Sequence, residues 1–201
     1  MSKIIKKYYN KIAKDYTQIH GYGERLSLSS LEKFTKLLST SKSKVLDVGC
    51  GGGQDSKFLA DKGFSVLGID ISSAMIKLSR KYSPDVNFKI VNVMDLPNSH
   101  KYNGIWCSRV FHNISTEEQD KFLRKLKSLL GKNGILYITS VVCSKKEDYE
   151  IIDLKDGNIL KKYLLAKSFK NLLINNGFKI LKFKYWVGKR GMEIFAQKVT
   201  N

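Results

Sequence analysis

Cysteine and histidine are scarce in this chain and badly spaced for metal chemistry. Cys50, Cys107 and Cys143 stand far apart, with no C-x-x-C pair and an odd count. That excludes a disulfide framework and a zinc site. His20, His100 and His112 share no metal-ligand spacing, so no metal is expected. Cys143, His20 and His100 read as ordinary residues. No apolar run reaches about 18 residues, so no membrane span is expected. Basic residues near the N-terminus, Lys3, Lys6 and Lys7, precede no apolar stretch, so a signal peptide is not expected and the cytoplasm is the expected location. Acidic residues are few as well, 18 against 36 basic ones, leaving a net charge of +18. Such an excess raises the question of nucleic acid. It is concentrated in the flanks, 1–44 and 142–201, and only five of the basic residues are Arg, the type suited to bidentate phosphate and base contacts. A Lys-rich solvated surface accounts for the charge, with RNA as the less favoured partner.

What is present is enough for one domain. A chain of 201 residues, 42% of them hydrophobic, can bury a single sizeable core. Ile5, Tyr8, Tyr9, Ile12, Ala13 and Tyr16 recur at helical steps, as do Leu28, Leu31, Phe34, Leu37 and Leu38. From Lys44 to Val48 a short apolar strand begins an alternation. Helices are expected over Gln54–Lys62, after a Ser72 or Ser73 cap, and after the capping box Ser115-Thr116-Glu117-Glu118. Strands are expected over Ser65–Ile69, Phe88–Val91, Ile105–Cys107 and Ile135–Val142. Two further strands, 150–154 and 158–164, flank the hairpin turn Asp156-Gly157. A helix from about Lys167 and strands over Phe178–Val187 and Glu193–Val199 complete the chain. The alternation predicts an α/β fold: a Rossmann-like, doubly wound sheet of about seven strands in an α-β-α sandwich, mostly parallel with an antiparallel C-terminal strand. Residues 1–43 form a helical cap, 44–142 a ligand-binding core, and 143–201 a substrate-side hairpin, helix and terminal strands.

Gly49-Cys50-Gly51-Gly52-Gly53 follows the first strand, at the carboxyl edge where open parallel sheets bind ligands. A dinucleotide fingerprint needs G-x-G-x-x-G, but Gln54 and Ser56 stand where its last glycine belongs. The register is G-x-G-x-G, and no Lys-Ser pair closes a P-loop. Asp70 ends the second strand, where a carboxylate accepts hydrogen bonds from both hydroxyls of a ribose. Asn92-Val93-Met94-Asp95-Leu96-Pro97 follows the third. A polar acceptor there suits an adenine amino group, with a backbone N–H donating to the ring.

Asp47 with the glycine loop, Asp70, and the turn ending Leu96-Pro97 together resemble the class I S-adenosylmethionine-dependent methyltransferases, over roughly residues 5 to 199. Tyr8 to Tyr16 looks like the N-terminal helix of the family's small-molecule branch, and Leu172 to Phe178 resembles its late helix-to-strand turn. The resemblance implies S-adenosyl-L-methionine as cofactor and S-adenosyl-L-homocysteine as product. It implies that Asp47 orders the loop and the methionyl ammonium end, with Gly49 and Gly51 packed on the methionine portion. Asp70 would hold the ribose, and Ile71 would lie against adenine. Asn92 stands where the family usually has Asp, so its contact to the adenine amine carries no charge. Val93 would supply the N–H, and Cys107 and Ser108 would border the methyl group. Tyr16, Cys50, Met75 and Met94 complete the expected cofactor-binding set. Loop organiser for Asp47 and helix cap for Asp70 are the competing structural roles.

Methyl transfer is an in-line displacement that needs alignment and a dry site more than covalent help. His112, after the fourth strand, is the candidate catalytic base; packing is its alternative role. The fourth strand runs into Ser108-Arg109-Val110-Phe111, not the Asn/Asp-Pro-Pro-aromatic run of base-amino methylation, and no cysteine pair points to pyrimidine carbons. A small-molecule acceptor is therefore expected, from a monomer or homodimer. RNA methylation and a non-catalytic cofactor-binding module are the alternatives.

Overall fold

The computed structural model describes residues 3–20, 28–38, 42–143, 149–153, 159–186 and 191–200, and for residues 14, 16–20, 143, 149–153 and 159–163 the backbone alone. Its helices are α1 (Lys3–His20), α2 (Leu28–Leu37), α3 (Gln54–Asp61), α4 (Ser73–Tyr82), α5 (Thr116–Leu129) and α6 (Ala166–Asn175). Its strands are β1 (Lys44–Val48), β2 (Ser65–Asp70), β3 (Asn87–Ile90), β4 (Tyr102–Cys107), β5 (Leu130–Cys143), β6 (Tyr149–Asp153), β7 (Ile159–Leu165), β8 (Phe178–Tyr185) and β9 (Gly191–Lys198). Single 3-10 turns follow β3 at Val93–Asp95 and β4 at Phe111–Asn113. Among the described residues no helix is long and apolar enough to cross a membrane.

The sheet has nine strands. Its body runs β3-β2-β1-β4-β5, all parallel, and continues through β9 and β8. β9 lies antiparallel to β5 and to β8, which makes it the antiparallel C-terminal strand of the sequence pattern. Those seven strands are the expected sheet. The other two are the expected hairpin: β6 and β7 pair antiparallel from Tyr149↔Tyr163 to Asp153↔Ile159. The hairpin joins the sheet because β7 pairs with the last two residues of β5, Val142 and Cys143. Its Asp156-Gly157 turn lies outside the described residues.

Sequence periodicity explains which side of each helix faces the sheet. β5 alternates strictly: Leu136, Ile138 and Val142 enter the core beneath α5 and α6, while Ile135 and Tyr137 face the core beneath α2 and α3. The first layer holds Phe122, Leu123, Leu126 and Leu129 of α5 with Phe169 and Leu173 of α6. The second holds Leu31, Phe34 and Leu38 with Phe58 and Leu59. Each such fully buried side chain contributes roughly 1.5–3 kcal/mol. Leu28 and Leu37, at helical spacing with Leu31 and Phe34, are both 40% exposed. Both are terminal residues of a ten-residue helix, beyond the reach of the sheet.

Several element ends differ from expectation, β4 beginning at Tyr102 and β9 at Gly191, and two of the differences sit at α5. The helix before β5 ends at Leu129, and the chain enters β5 five residues before Ile135. Leu130 pairs with Tyr102, and a register shift between Tyr102 and Gly104 absorbs the extra residues, with Asn133 at φ 56. The Ser115 capping box is only partly formed. Its hydroxyl donates to the Glu118 carboxylate (3.3 Å) and accepts nothing from the helix backbone.

Candidate functional site

β1 is the middle strand of the five-stranded parallel body, flanked by β2 and β4, so the loop after it sits at the middle of that body's carboxyl edge. Gly49, Gly51 and Gly53 all lie at left-handed φ, 70°, 52° and 86°, a conformation that side chains resist. The N–H groups of Gly49 and Cys50 both donate to the Ile69 carbonyl, at 2.8 and 3.0 Å, which clamps the loop to β2. A Cβ on Gly49 would come within 2.3 Å of Val110 Cγ2. One on Gly51 would meet nothing within 4 Å among the described residues. The first glycine is thus filled by protein, and the second faces open space where a ligand can approach the backbone.

Asp70 tightens the same loop. One carboxylate oxygen accepts the Gly51 N–H (3.1 Å) and the other accepts the Ser72 N–H (2.8 Å). Burial raises the pKa of this carboxyl, and the backbone donors pull it back. The Ile71 N–H also acts on this carboxylate, so three backbone donors leave lone-pair capacity for one further donor such as a ribose hydroxyl. Asp47 is 2% exposed and accepts the Ser56 hydroxyl at 2.6 Å, which ties β1 to α3. Desolvation, reinforced by the nearby Asp55 and Asp70 carboxylates, pushes its pKa up to about 8. Asp47 thus ties together the two elements that the glycine loop connects. Cys50 is buried against Ile76, Val86 and Phe88, and burial with the Asp47 charge raises its thiol well above the usual range. It is neutral and unsuited to nucleophilic attack.

The turn after β3 is built from Asn92. Its side-chain carbonyl accepts the Met94 N–H at 3.1 Å and starts the 3-10 turn. Among the described residues, nothing accepts the Val93 N–H. Asn92 and Met94 line a cavity of about 160 Å³ with Ile114, Glu118, Lys121 and Phe122. Ile71 is half-buried directly after Asp70. Met75, 1% exposed, belongs to the α4 core side, with its N–H held by the Ser72 hydroxyl at 3.1 Å. Cys107 is fully buried in the core under α5, and its thiol pKa is raised by that burial. Ser108 is half-buried at the end of β4, and His112 is half-buried in the 3-10 turn beyond it. The Tyr16 side chain lies outside the described ones.

Hydrogen bonds thus bring Gly49, Cys50, Gly51 and Asp70 into one unit, and Asp47 supports it through Ser56. Several participants carried no sequence signal. Asn10 of α1 accepts from the Ser72 hydroxyl (2.7 Å) and the Ala74 N–H (3.2 Å), at the start of α4. Asn113 donates to the Tyr9 hydroxyl at 3.3 Å. Helix α1 is therefore latched to both sides of the edge. Arg109 adopts φ 58, and its N–H donates to the Thr139 hydroxyl at 2.7 Å. A lone Asn, Ser or Arg outside a motif gives no warning of such a role; only the helical stripe containing Tyr9 hinted that α1 packs inward.

The family model for a methyltransferase domain matches residues 45–134, from β1 to the entry of β5. Over those residues the chain resembles a methyltransferase domain. A ubiquinone biosynthesis O-methyltransferase of Rickettsia canadensis is 30% identical to it over 157 residues, 76% of this chain and 62% of that protein. The chain spans 42–62% of the length of eight curated relatives that it matches. The structure of magnesium protoporphyrin IX methyltransferase from Synechocystis, solved with bound S-adenosylmethionine, superimposes with a TM-score of 0.72 at 20% identity, covering 98% of this chain and 96% of that one. That of the [4+2]-cyclase SpnF superimposes with a TM-score of 0.78 at 16% identity, over 98% and 96%. At these identities the likeness establishes the fold of the methyltransferase domain. A cyclase among the neighbours shows why the reaction has to be argued from the site.

Proposed function

We propose that the chain is an S-adenosylmethionine-dependent methyltransferase acting on a small-molecule acceptor. One observation carries the reading. Gly51 presents a side-chain-free backbone to open space, while the Asp70 carboxylate holds the Gly51 N–H directly beside it. A methionyl chain against the glycines and a ribose hydroxyl on Asp70 fit that arrangement. The Val93 N–H and the Asn92 carbonyl are then available for an adenine edge. Asp47 would act on the ammonium end through the loop it organises. Ile71 and Met94 would serve as walls, backed by Cys50, Met75 and Cys107, which the structure closes off inside the core.

Bound S-adenosylmethionine supplies a sulfonium-activated methyl group. The chain's own residues would exclude water and align the acceptor, with α1, latched to Ser72, Ala74 and Asn113, covering the edge between them. His112 would take the acceptor's proton on an imidazole nitrogen as the new bond to carbon forms. The names of the O-methyltransferase relatives favour an oxygen acceptor.

Calorimetry with S-adenosylhomocysteine and a screen for its release test the reading together. The wild type should bind the product, and Asp70→Ala should bind it at least tenfold more weakly. A metabolite panel and total RNA, offered with S-adenosylmethionine, should give release with a small molecule. Release with RNA alone would replace the acceptor assignment. Undiminished binding by Asp70→Ala would remove the ribose site.

A further inference from the structure

The loop between β4 and its 3-10 turn holds a charged group for which neither the fold nor the cofactor site accounts. Arg109 stands two residues beyond Cys107, at the carboxyl edge of a central strand, where acceptors of parallel-sheet enzymes lie. It is neither Gly nor Asn, yet its φ is 58. An L-residue of this kind resists that conformation, and such residues persist where surrounding structure over-determines them. Here two contacts do so. The Thr139 hydroxyl, 1% exposed, takes the Arg109 N–H at 2.7 Å, and the neighbouring Val110 methyl fills the space beside Gly49. The backbone on both sides of Arg109 is thus pinned to β5 and to the glycine loop.

The side chain is half-buried. A guanidinium carries five donors and stays charged at all relevant pH values. Among the described residues, nothing accepts from it. The two carboxylates of the edge are engaged elsewhere, Asp47 with Ser56 and Asp70 with two backbone amides. A partly buried cation without an acceptor among the described residues, carried on backbone held beside a site, is complementary to an anion entering that site.

Building on the methyltransferase reading, we propose that Arg109 is a specificity-determining residue that binds a carboxylate of the methyl acceptor. The acceptor then has two functional ends: a nucleophile presented toward the methyl group, and an anionic group gripped by the Arg109 fork. The net charge of +18 favours the approach of such a molecule.

Benzoate and benzamide, alike in shape and different in charge, serve as probes. Calorimetry of the S-adenosylhomocysteine complex should show benzoate binding at least tenfold more tightly than benzamide. Arg109→Gln should abolish that preference and leave the affinity for S-adenosylhomocysteine unchanged. Arg109→Lys should keep part of it, because the charge remains without the fork. Equal binding of the two probes by the wild type would overturn the proposal. So would a loss of S-adenosylhomocysteine affinity in Arg109→Gln, which would assign the guanidinium to the methionyl carboxylate instead. Failure of the wild type to bind S-adenosylhomocysteine at all would sink the methyltransferase reading; the same two probes, titrated into the protein alone, would then still decide whether Arg109 selects an anion.

Discussion

The loop after β1 and the loop after β4 lie side by side on the same edge, yet they reach unusual backbone conformations by opposite means. The first uses glycine at each left-handed position, so no strain accumulates. The second places an arginine in the left-handed region and holds it with a buried hydroxyl. Where only backbone must approach a ligand, removing the side chain is the economical solution. Where a charge must be delivered to a fixed point, the side chain has to stay and neighbouring contacts must enforce the geometry. The two loops also meet directly. Val110 fills the space that a Cβ on Gly49 would need, so each loop sets the position of the other.

Gly49→Ala attacks that shared contact and should have the largest effect. The new methyl meets Val110 Cγ2 at 2.3 Å and forces a side chain onto φ 70. Overpacking and left-handed strain together should cost roughly 3 kcal/mol of stability, read by urea unfolding. Adding Val110→Ala should recover the steric part and leave the strain, so the double variant should be more stable than Gly49→Ala alone. If the two substitutions add without coupling, the loops are independent. A smaller effect is expected from Thr139→Val, which keeps the shape and removes the acceptor of the Arg109 N–H. A buried donor left without a partner costs about 1–2 kcal/mol. Unfolding should show that loss, and unchanged stability would mean that Val110 packing alone holds the Arg109 backbone.

The contrast also explains what was legible beforehand. The loop after β1 could be read because glycines at fixed spacing announce a backbone requirement, and Asp70 stands at a strand end with few other uses. Strand alternation over 44–142 gave the parallel sheet, and Asp156-Gly157 marked the hairpin. The Arg109 conformation could not be read, because it rests on a hydroxyl thirty residues away in β5. Asn10 was equally silent, since its partners at Ser72 and Ala74 meet it only after α1 folds back over α4. Leu28 and Leu37 misled for the converse reason: their spacing is helical, but the sheet beneath α2 does not extend to its ends. Local pattern reports what a segment needs of itself, and tertiary contacts supply the rest.

The finest distinction between the loops lies in their support. The β4 loop hangs on neutral Thr139, whereas the β1 loop rests on Asp47, whose pKa is pushed from 3.8 to about 8, mainly by burial. A carboxyl whose pKa is higher folded than unfolded holds its proton more tightly in the native state. Its contribution to stability is complete below pH 3.8 and is lost as pH rises through about 8. Asp47→Asn keeps the size and an oxygen that can accept from Ser56, and it cannot ionise. The variant should therefore gain stability relative to the wild type as pH is raised from 4 to 8, and the difference should level off above that. Measuring urea midpoints of both proteins at each pH cancels the titration of groups far from this position, though Asp55 and Asp70 are close enough for their own curves to shift slightly. A difference that stays flat across the window would mean that Asp47 is ionised throughout it, and the glycine loop would then rest on a charged carboxylate from pH 4 to 8. A difference that rises with pH would mean that the loop is supported near neutrality by a protonated carboxyl, and that a cationic ligand arriving above it should favour release of that proton.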